Sequence, residues 1–249
     1  MRPDGSTRVA GAHDTPFRWA SVTKPCTAMA VLVAVEERSL SLDDDAGPPG
    51  STVRHLLAHA SGIDFDTDAV LAPPGTRRIY SNTGYDVLAA ALADATGIAF
   101  ETYLREAVLD PLGVRATALQ GSAAAGLVGP LDDLLLVARE LHRPTLLSAE
   151  TAALLGTVAF PGLAGVLPGF GRQDPNDWGL GCEIRGTKSP HWTGTRNSGR
   201  TFGHFGAAGG FVWVDPEADV ACCVLSDRDF GPWAATTWPE LSDAILESP

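Results

Sequence analysis

The sequence predicts an α+β fold: an antiparallel sheet covered by helices, with a mainly helical lobe between its strands. Three observations carry this reading. Strand-like segments gather near the two ends of the 249-residue chain, before residue 20 and again after Trp178. The long middle alternates between helix and loop. Between the first strand and that middle lies a helix that is apolar nearly all round, so it belongs in the interior where the two lobes meet.

Taken in order, residues 7–20 hold one short strand at most. A sharp entry at Phe17-Arg18-Trp19-Ala20 leads into the central helix over 21–37, with Pro25 in its first turn, where a missing N–H costs little. Residues 39–50 form a loop rich in breakers. A helix from 52, striped by Val53, Leu56, Leu57 and Ala60, closes at Ser61-Gly62. Residues 64–74 are irregular. Helices follow over 86–94 and 100–108, the second ending before Pro111-Leu112-Gly113. Residues 121–175 are helix and loop in short alternation, with 131–141 the clearest helix. Beyond Trp178, residues 179–184 read as a strand and 185–200 as a polar loop. Strands follow over 201–205, 211–214 and 220–226. The turn Asp215-Pro216-Glu217-Ala218-Asp219 joins the last two. A helix over 238–247 finishes the chain. With no repeat and no low-complexity linker, residues 1–249 read as one unit. Its α/β lobe is 1–39 with 176–249, and its mainly helical lobe is 40–175.

A net charge of −12 argues against nucleic acid or an anionic membrane surface as partner. The apolar run 26–35 is too short to span a bilayer. Met1-Arg2-Pro3-Asp4-Gly5 has no apolar signal-peptide core, which predicts a cytoplasmic chain unless a leader is removed; an exported origin stays open. Cys26, Cys182, Cys222 and Cys223 lack zinc-ligand spacing and read as small buried hydrophobes, with Cys222 and Cys223 on opposite faces of a strand. His55 and His59 are four apart, as in a zinc pair. Leu56 stands where the metalloprotease pattern needs glutamate, so they read as structural histidines and no metal is expected.

The chemistry points to the start of the central helix. Ser21 and Lys24, three residues apart, share a face of its first turn. A serine hydroxyl becomes a nucleophile when a base within reach takes its proton. Lysine is such a base only if burial and the helix dipole lower its pKa by roughly three units, or about 4 kcal/mol. The plain alternative is an N-cap serine beside a solvated lysine. Against it, the chain has only two lysines, Lys24 and Lys188, among 18 basic residues, so lysine at this place is conspicuous.

Three motifs stand together: Ser21-Val22-Thr23-Lys24, Tyr80-Ser81-Asn82 and His204-Phe205-Gly206. With them come His55-Leu56-Leu57-Ala58-His59-Ala60-Ser61-Gly62, Pro74-Gly75, Thr83-Gly84-Tyr85 and Pro111-Leu112-Gly113. In this order the chain resembles the class C β-lactamase and penicillin-binding-protein-like family, which includes DD-peptidases, D-aminopeptidases and esterases. The resemblance covers nearly the whole chain from Asp4. It implies a β-lactamase/transpeptidase-like fold and a metal-free, cofactor-free serine hydrolase working through an acyl-enzyme on a small ester, amide or lactam. It makes Ser21 the nucleophile, Lys24 its base or base partner and Tyr80 the proton relay, leaving open whether Lys24 or Tyr80 is the acylation base. Asn82 would bind substrate and Lys24, and His204, Phe205 and Gly206 would line the docking strand. The N–H groups of Ser21 and Ala207 would form the oxyanion hole.

Two departures from the family pattern matter. His204 stands where class C β-lactamases carry the lysine of lysine-threonine-glycine, which is nearer the peptidase and esterase branches. The resemblance also implies a helix and at least one more strand ahead of the region matching 4–20, so either the start of the chain is internal or this is a member with a shortened N-terminus that closes its sheet another way. An alternative reading is a penicillin-recognising or degenerate binding domain that acylates slowly or not at all. Finally, Arg185, Lys188, Arg196 and Arg200 crowd the loop before His204. A guanidinium there could pair with a substrate carboxylate, or these could be ordinary solvated charges.

Overall fold

The structure is a computed structural model and describes residues 1–2 and 4–247. Strand β1 (Phe17–Arg18) leads through a 3₁₀ turn at Ala20–Val22 into α1 (Thr23–Glu36). Eleven residues of α1 are buried, on every side of the helix, which makes it the core element its composition predicts. Helix α2 (Val53–Leu57) opens with a capping box in which Thr52 and His55 bond reciprocally. Helix α3 (Asn82–Thr96) is capped by the Ser81 hydroxyl, which accepts the Gly84 N–H, and closes on left-handed Gly97. Helix α4 (Phe100–Leu104) continues into a π-helical turn at Arg105–Leu109. Then come β2 (Ala118–Leu119), β3 (Leu127–Gly129), α5 (Leu131–His142), α6 (Ala149–Ala153), and the paired β4 (Gly165–Leu167) and β5 (Gly171–Gln173).

The C-terminal part supplies the main sheet. Strands β6 (Glu183–Ile184), β7 (Phe202–Phe205), β8 (Phe211–Asp215) and β9 (Val220–Val224) are antiparallel in that spatial order, and α7 (Pro232–Glu247) closes the chain. Strand β8 is buried on both faces, hence its unbroken apolar run. Phe211 and Trp213 join Trp192 and Trp238 in the core under α7, while Val212 and Val214 join the larger core around α1. His204 pairs with Val212 and so sits on the α1 side; Phe205 pairs with Phe211 and faces α7. On the outer side of β9, the Ala221 N–H donates to the Met1 carbonyl at 3.1 Å and the Met1 amine donates to the Ala221 carbonyl at 2.6 Å. Among the described residues no single helix is long and apolar enough to cross a membrane.

The β-lactamase/transpeptidase-like α+β fold is the one expected, with several elements placed differently. Strand β1 does not enter the main sheet; it forms a small sheet of order β1-β3-β2, because Trp19 is buried against β3, its indole donating to the Gly129 carbonyl. Strands of two or three residues leave no periodic signal, so β2 to β5 were hidden in a stretch that reads as helix and loop. The helix expected over 52–62 stops at Leu57. His59 is left-handed (φ 54°), and the carbonyls of Ala58, His59 and Ala60 are taken by Arg78, Ile79 and Gly75 instead. Helix α3 starts at Asn82, four residues before the expected 86, once Ser81 is seen as its cap. The strand over 179–184 shrinks to Glu183–Ile184. Gly181 has φ 110° and lies so close to α1 that a Cβ on it would sit 2.3 Å from the Ala28 methyl. Helix α7 begins at Pro232 rather than 238 and carries Pro239 inside.

Candidate active site

Ser21 lies at the entry to α1, directly after Ala20, whose φ of 46° is left-handed for a residue with a side chain. Such strain persists only where the surroundings hold it. Buried Trp19 on one side and the body of α1 on the other do so here. One turn on, Lys24 is fully buried, with Nζ 3.3 Å from Ser21 Oγ. Nζ also donates to Asn82 Oδ1 at 2.7 Å and to the Ala124 carbonyl at 3.1 Å. Each acceptor is held in place. Asn82 is the first residue of α3, its amide N–H₂ bonded to Asp66 at 2.9 Å. The Ala124 segment is tied to α1 through Thr27 Oγ1 on the Ala123 carbonyl at 2.6 Å, and to α3 through Ser122 on Asp86 at 2.7 Å.

Burial pushes the Lys24 pKa down to about 7, against the opposing pull of Asp86 and Asp66. A neutral amine has two N–H donors and one lone pair. With the donors engaged by Asn82 and Ala124, the lone pair is left for the Ser21 hydroxyl. Tyr80 completes the group. Burial raises its pKa above the ordinary phenol value, while a hydrogen bond with Ser21 pulls the other way, so the phenol is protonated at neutral pH. Its ring lies 4.6 Å from Lys24 Nζ, centroid to nitrogen.

The ring of Tyr80 is packed by His59 at 4.5 Å, Trp178 at 5.7 Å and His204 at 5.8 Å between centroids. His59 is buried and accepts the Ser81 N–H on Nδ1 at 3.1 Å; burial holds its pKa well below the usual value. His55 instead caps α2 and stacks on Phe160 at 4.4 Å. The two histidines therefore serve separate partners, and among the described residues no group of three His, Cys, Asp or Glu side chains is placed to hold a metal.

A cavity of about 180 Å³ opens over Ser21, lined also by Tyr80, His204, Phe205, Ala207 and Phe230. His204 is buried, and its Nδ1 lies 2.7 Å from the Phe205 carbonyl, so Nδ1 carries the proton. Burial and the charge of Lys24 push the His204 pKa down to about 3, which makes it a neutral imidazole. Gly206 contributes by having no side chain: a Cβ would lie 2.4 Å from the Trp19 carbonyl oxygen and 3.2 Å from Ser21 N. That close approach brings the exposed turn at Ala207 beside the helix entry.

Asn82, expected to touch substrate, does not line the cavity, and both ends of its amide are engaged, by Lys24 and Asp66. Seven lining residues carried no sequence signal for the site: Phe65, Leu167, Pro168, Gly169, Trp178, Glu183 and Phe230. Glu183 is buried on the cavity side of β6 and is bonded by the Trp192 indole, His191 and Lys188; the last two hold its pKa well below the carboxylate range despite burial. The pairing of Glu183 with Lys188 was legible only as two charges five residues apart.

The basic loop before β7 turns away from the cavity. Lys188 is buried on Glu183 and the Asp177 carbonyl, and Arg185 donates to the Gly194 carbonyl at 3.3 Å. Arg196 pairs with Glu247 of α7, and Arg200 lines a different surface cleft beside Phe202 and Asp219. No guanidinium of this loop lines the Ser21 cavity. The loop is drawn down by its own buried pair and by α7.

The Beta-lactamase family model matches residues 4–246. A crystal structure of a beta-lactamase from Mycobacterium bovis is 55% identical with a TM-score of 0.97, over 99% of this chain and 92% of that one. Esterase EstB of Burkholderia gladioli is 34% identical over 150 residues, 41% of this chain and 38% of EstB. Penicillin-binding protein 4* of Bacillus subtilis is 27% identical over 134 residues, 41% of this chain and 30% of that protein. The matched stretch spans between 30% and 38% of the length of these two curated relatives.

Proposed function

The chain belongs to the beta-lactamase family, and on that premise we propose that it is a serine hydrolase acting through an acyl-enzyme on Ser21, with uncharged esters as its preferred substrates. The observation that carries this reading is the buried Lys24 amine, with a pKa of about 7, 3.3 Å from Ser21 Oγ. In the first step the Lys24 lone pair takes the Ser21 proton as Oγ bonds to the substrate carbonyl carbon. The oxygen of that carbonyl takes the negative charge and is met by the N–H groups of Ser21 and Ala207, donors at a helix start and a strand turn. As the tetrahedral intermediate collapses, Tyr80 gives its proton to the departing oxygen and is reprotonated from Lys24. The bond to the leaving group breaks and the acyl group stays on Oγ. Water then attacks the ester of Ser21: Lys24 takes its proton as the oxygen bonds to the acyl carbon, and the bond to Oγ breaks as Oγ receives a proton relayed from Lys24 through Tyr80, releasing the carboxylic acid. The raised pKa of Tyr80 favours Lys24 as the acylation base and Tyr80 as the acid.

Preference for an uncharged substrate rests on what surrounds Ser21. His204 is neutral, so it offers no cation to a β-lactam or D-alanyl carboxylate, and the basic loop points elsewhere. Burying an unpaired carboxylate against Phe205, Phe230 and Trp178 would cost several kcal/mol. The test is parallel assay of p-nitrophenyl acetate, nitrocefin and a fluorescent penicillin. The reading expects turnover of the acetate well above that of nitrocefin. A stable penicillin adduct without acetate turnover would make the protein a binding domain instead.

A further inference from the structure

We propose that a second apolar cleft, adjoining the Ser21 cavity at Tyr80, binds the alcohol half of the substrate, and that the substrate is therefore an ester of an extended apolar alcohol. The inference rests on the acyl-enzyme reading above and names the substrate class for that site. The cleft has a volume of about 360 Å³ and shares Phe65, Tyr80 and Pro168 with the catalytic cavity, but Ser21 does not line it. Its outer walls are Leu71, 53% exposed, and Val166, 58% exposed, with Phe65, 45% exposed, at the junction.

Clustering is the first argument. Single exposed apolar side chains need no explanation, but a contiguous group does. Of the seven large hydrophobics exposed among the described residues, Phe65, Val70, Leu71 and Val166 all lie on the segments that frame this cleft. The frame is built rather than loose. A bridge between Ile63 and Val70 and the Leu71 N–H on the Gly62 carbonyl hold one wall. The bridge between Arg78 and Gly165 and the pairing of Val166 with Arg172 hold the other. Two arginines line the cleft: the guanidinium of Arg78 is committed to the carbonyls of Ala58, Asn176, Ala159 and Phe160, and Arg77 is an exposed side chain, so the remaining walls are apolar apart from the Tyr80 hydroxyl.

Direction is the second argument. A carbonyl held at Ser21 and Ala207 fixes two exits for an ester. The acyl side stays in the cavity with Phe205 and Phe230, near Ala207. The departing oxygen must come within hydrogen-bond reach of Tyr80, its proton donor, and whatever it carries continues past that ring. The cleft begins there.

The test compares hexyl acetate and ethyl hexanoate, each as a ratio of kcat/KM to that for ethyl acetate, in the wild type and in the Leu71→Gln/Val166→Asn double variant. Both sites are surface positions, and the single Leu71→Gln variant serves if the thermal midpoint of the double variant drops. The inference expects the hexyl acetate ratio to fall about tenfold while the ethyl hexanoate ratio holds. A fall confined to ethyl hexanoate would assign the cleft to the acyl half and overturn the proposal, as would two unmoved ratios. Failure of the underlying reading looks different: the wild type would then show no acetyl group on Ser21 after exposure to p-nitrophenyl acetate.

Discussion

Asn82 Oδ1 accepts a hydrogen bond of 2.7 Å from Lys24 Nζ, joining the first residue of α3 to the first turn of α1 across 58 residues of sequence. The contact aims the amine and is made by a neutral acceptor. A carboxylate in its place would favour the charged amine. Asn82→Asp is therefore expected to raise the Lys24 pKa by about one unit or more. The acidic limb of the kcat/KM profile, expected near pH 7 in the wild type from the Lys24 pKa, should move to higher pH, with activity recovering in alkaline buffer. A pH–rate profile checks this; an unmoved limb in an active variant would separate that limb from Lys24.

Lys24 also sets a pH dependence of stability. Its pKa is about 7 in the fold and near the ordinary 10.5 when unfolded. Below pH 7 both states hold the proton, and burying the charge costs stability in full. Between pH 7 and 10.5 the native state has released a proton that the unfolded state keeps, so stability rises with pH. Relative to Lys24→Met, the wild type should gain about 2 kcal/mol between pH 7 and pH 9. Denaturant titrations at the two values measure it. The methionine variant should lack hydrolysis and be the more stable protein at pH 7, because it removes the cost of a buried charge.

Gly206→Ala probes the close approach of β7 to the helix entry. The added methyl meets the Trp19 carbonyl oxygen and Ser21 N, so the Ala207 turn must move outward. Losing one preorganised oxyanion donor costs about 10²–10³ in kcat. The expected result is a fall of that order in kcat with a smaller change in KM for p-nitrophenyl acetate. Equal effects on both, with a large loss of thermal stability, would mean the sheet as a whole rather than the Ala207 turn is disturbed.

Much of the fold and part of the site were legible in the sequence, for physical reasons that also explain the rest. Ser21 and Lys24 were visible because a helix puts positions three apart on one face, and α1 because burial on all sides forces an unbroken apolar run. Strands β7, β8 and β9 were long enough to show their pattern. In contrast, β2 to β5 are two or three residues each, and their pairing depends on partners far along the chain. Phe65, Trp178 and Glu183 reach the cavity only through tertiary packing, so no local spacing announces them. The expectation for Arg196 and Arg200 followed from sequence proximity to His204. Proximity said nothing of direction, and the buried pair of Lys188 with Glu183 and the contact of Arg196 with Glu247 turn the loop away.

The central claim is that Ser21 carries the acyl group. The most direct measurement is intact-mass and peptide-mapping mass spectrometry after brief exposure to p-nitrophenyl acetate and acid quench, with Ser21→Ala in parallel. The account predicts one added acetyl group, mapped to Ser21, in the wild type, and none in a folded alanine variant. An acetyl group mapped to another residue at equal stoichiometry, or retained in Ser21→Ala, would contradict it.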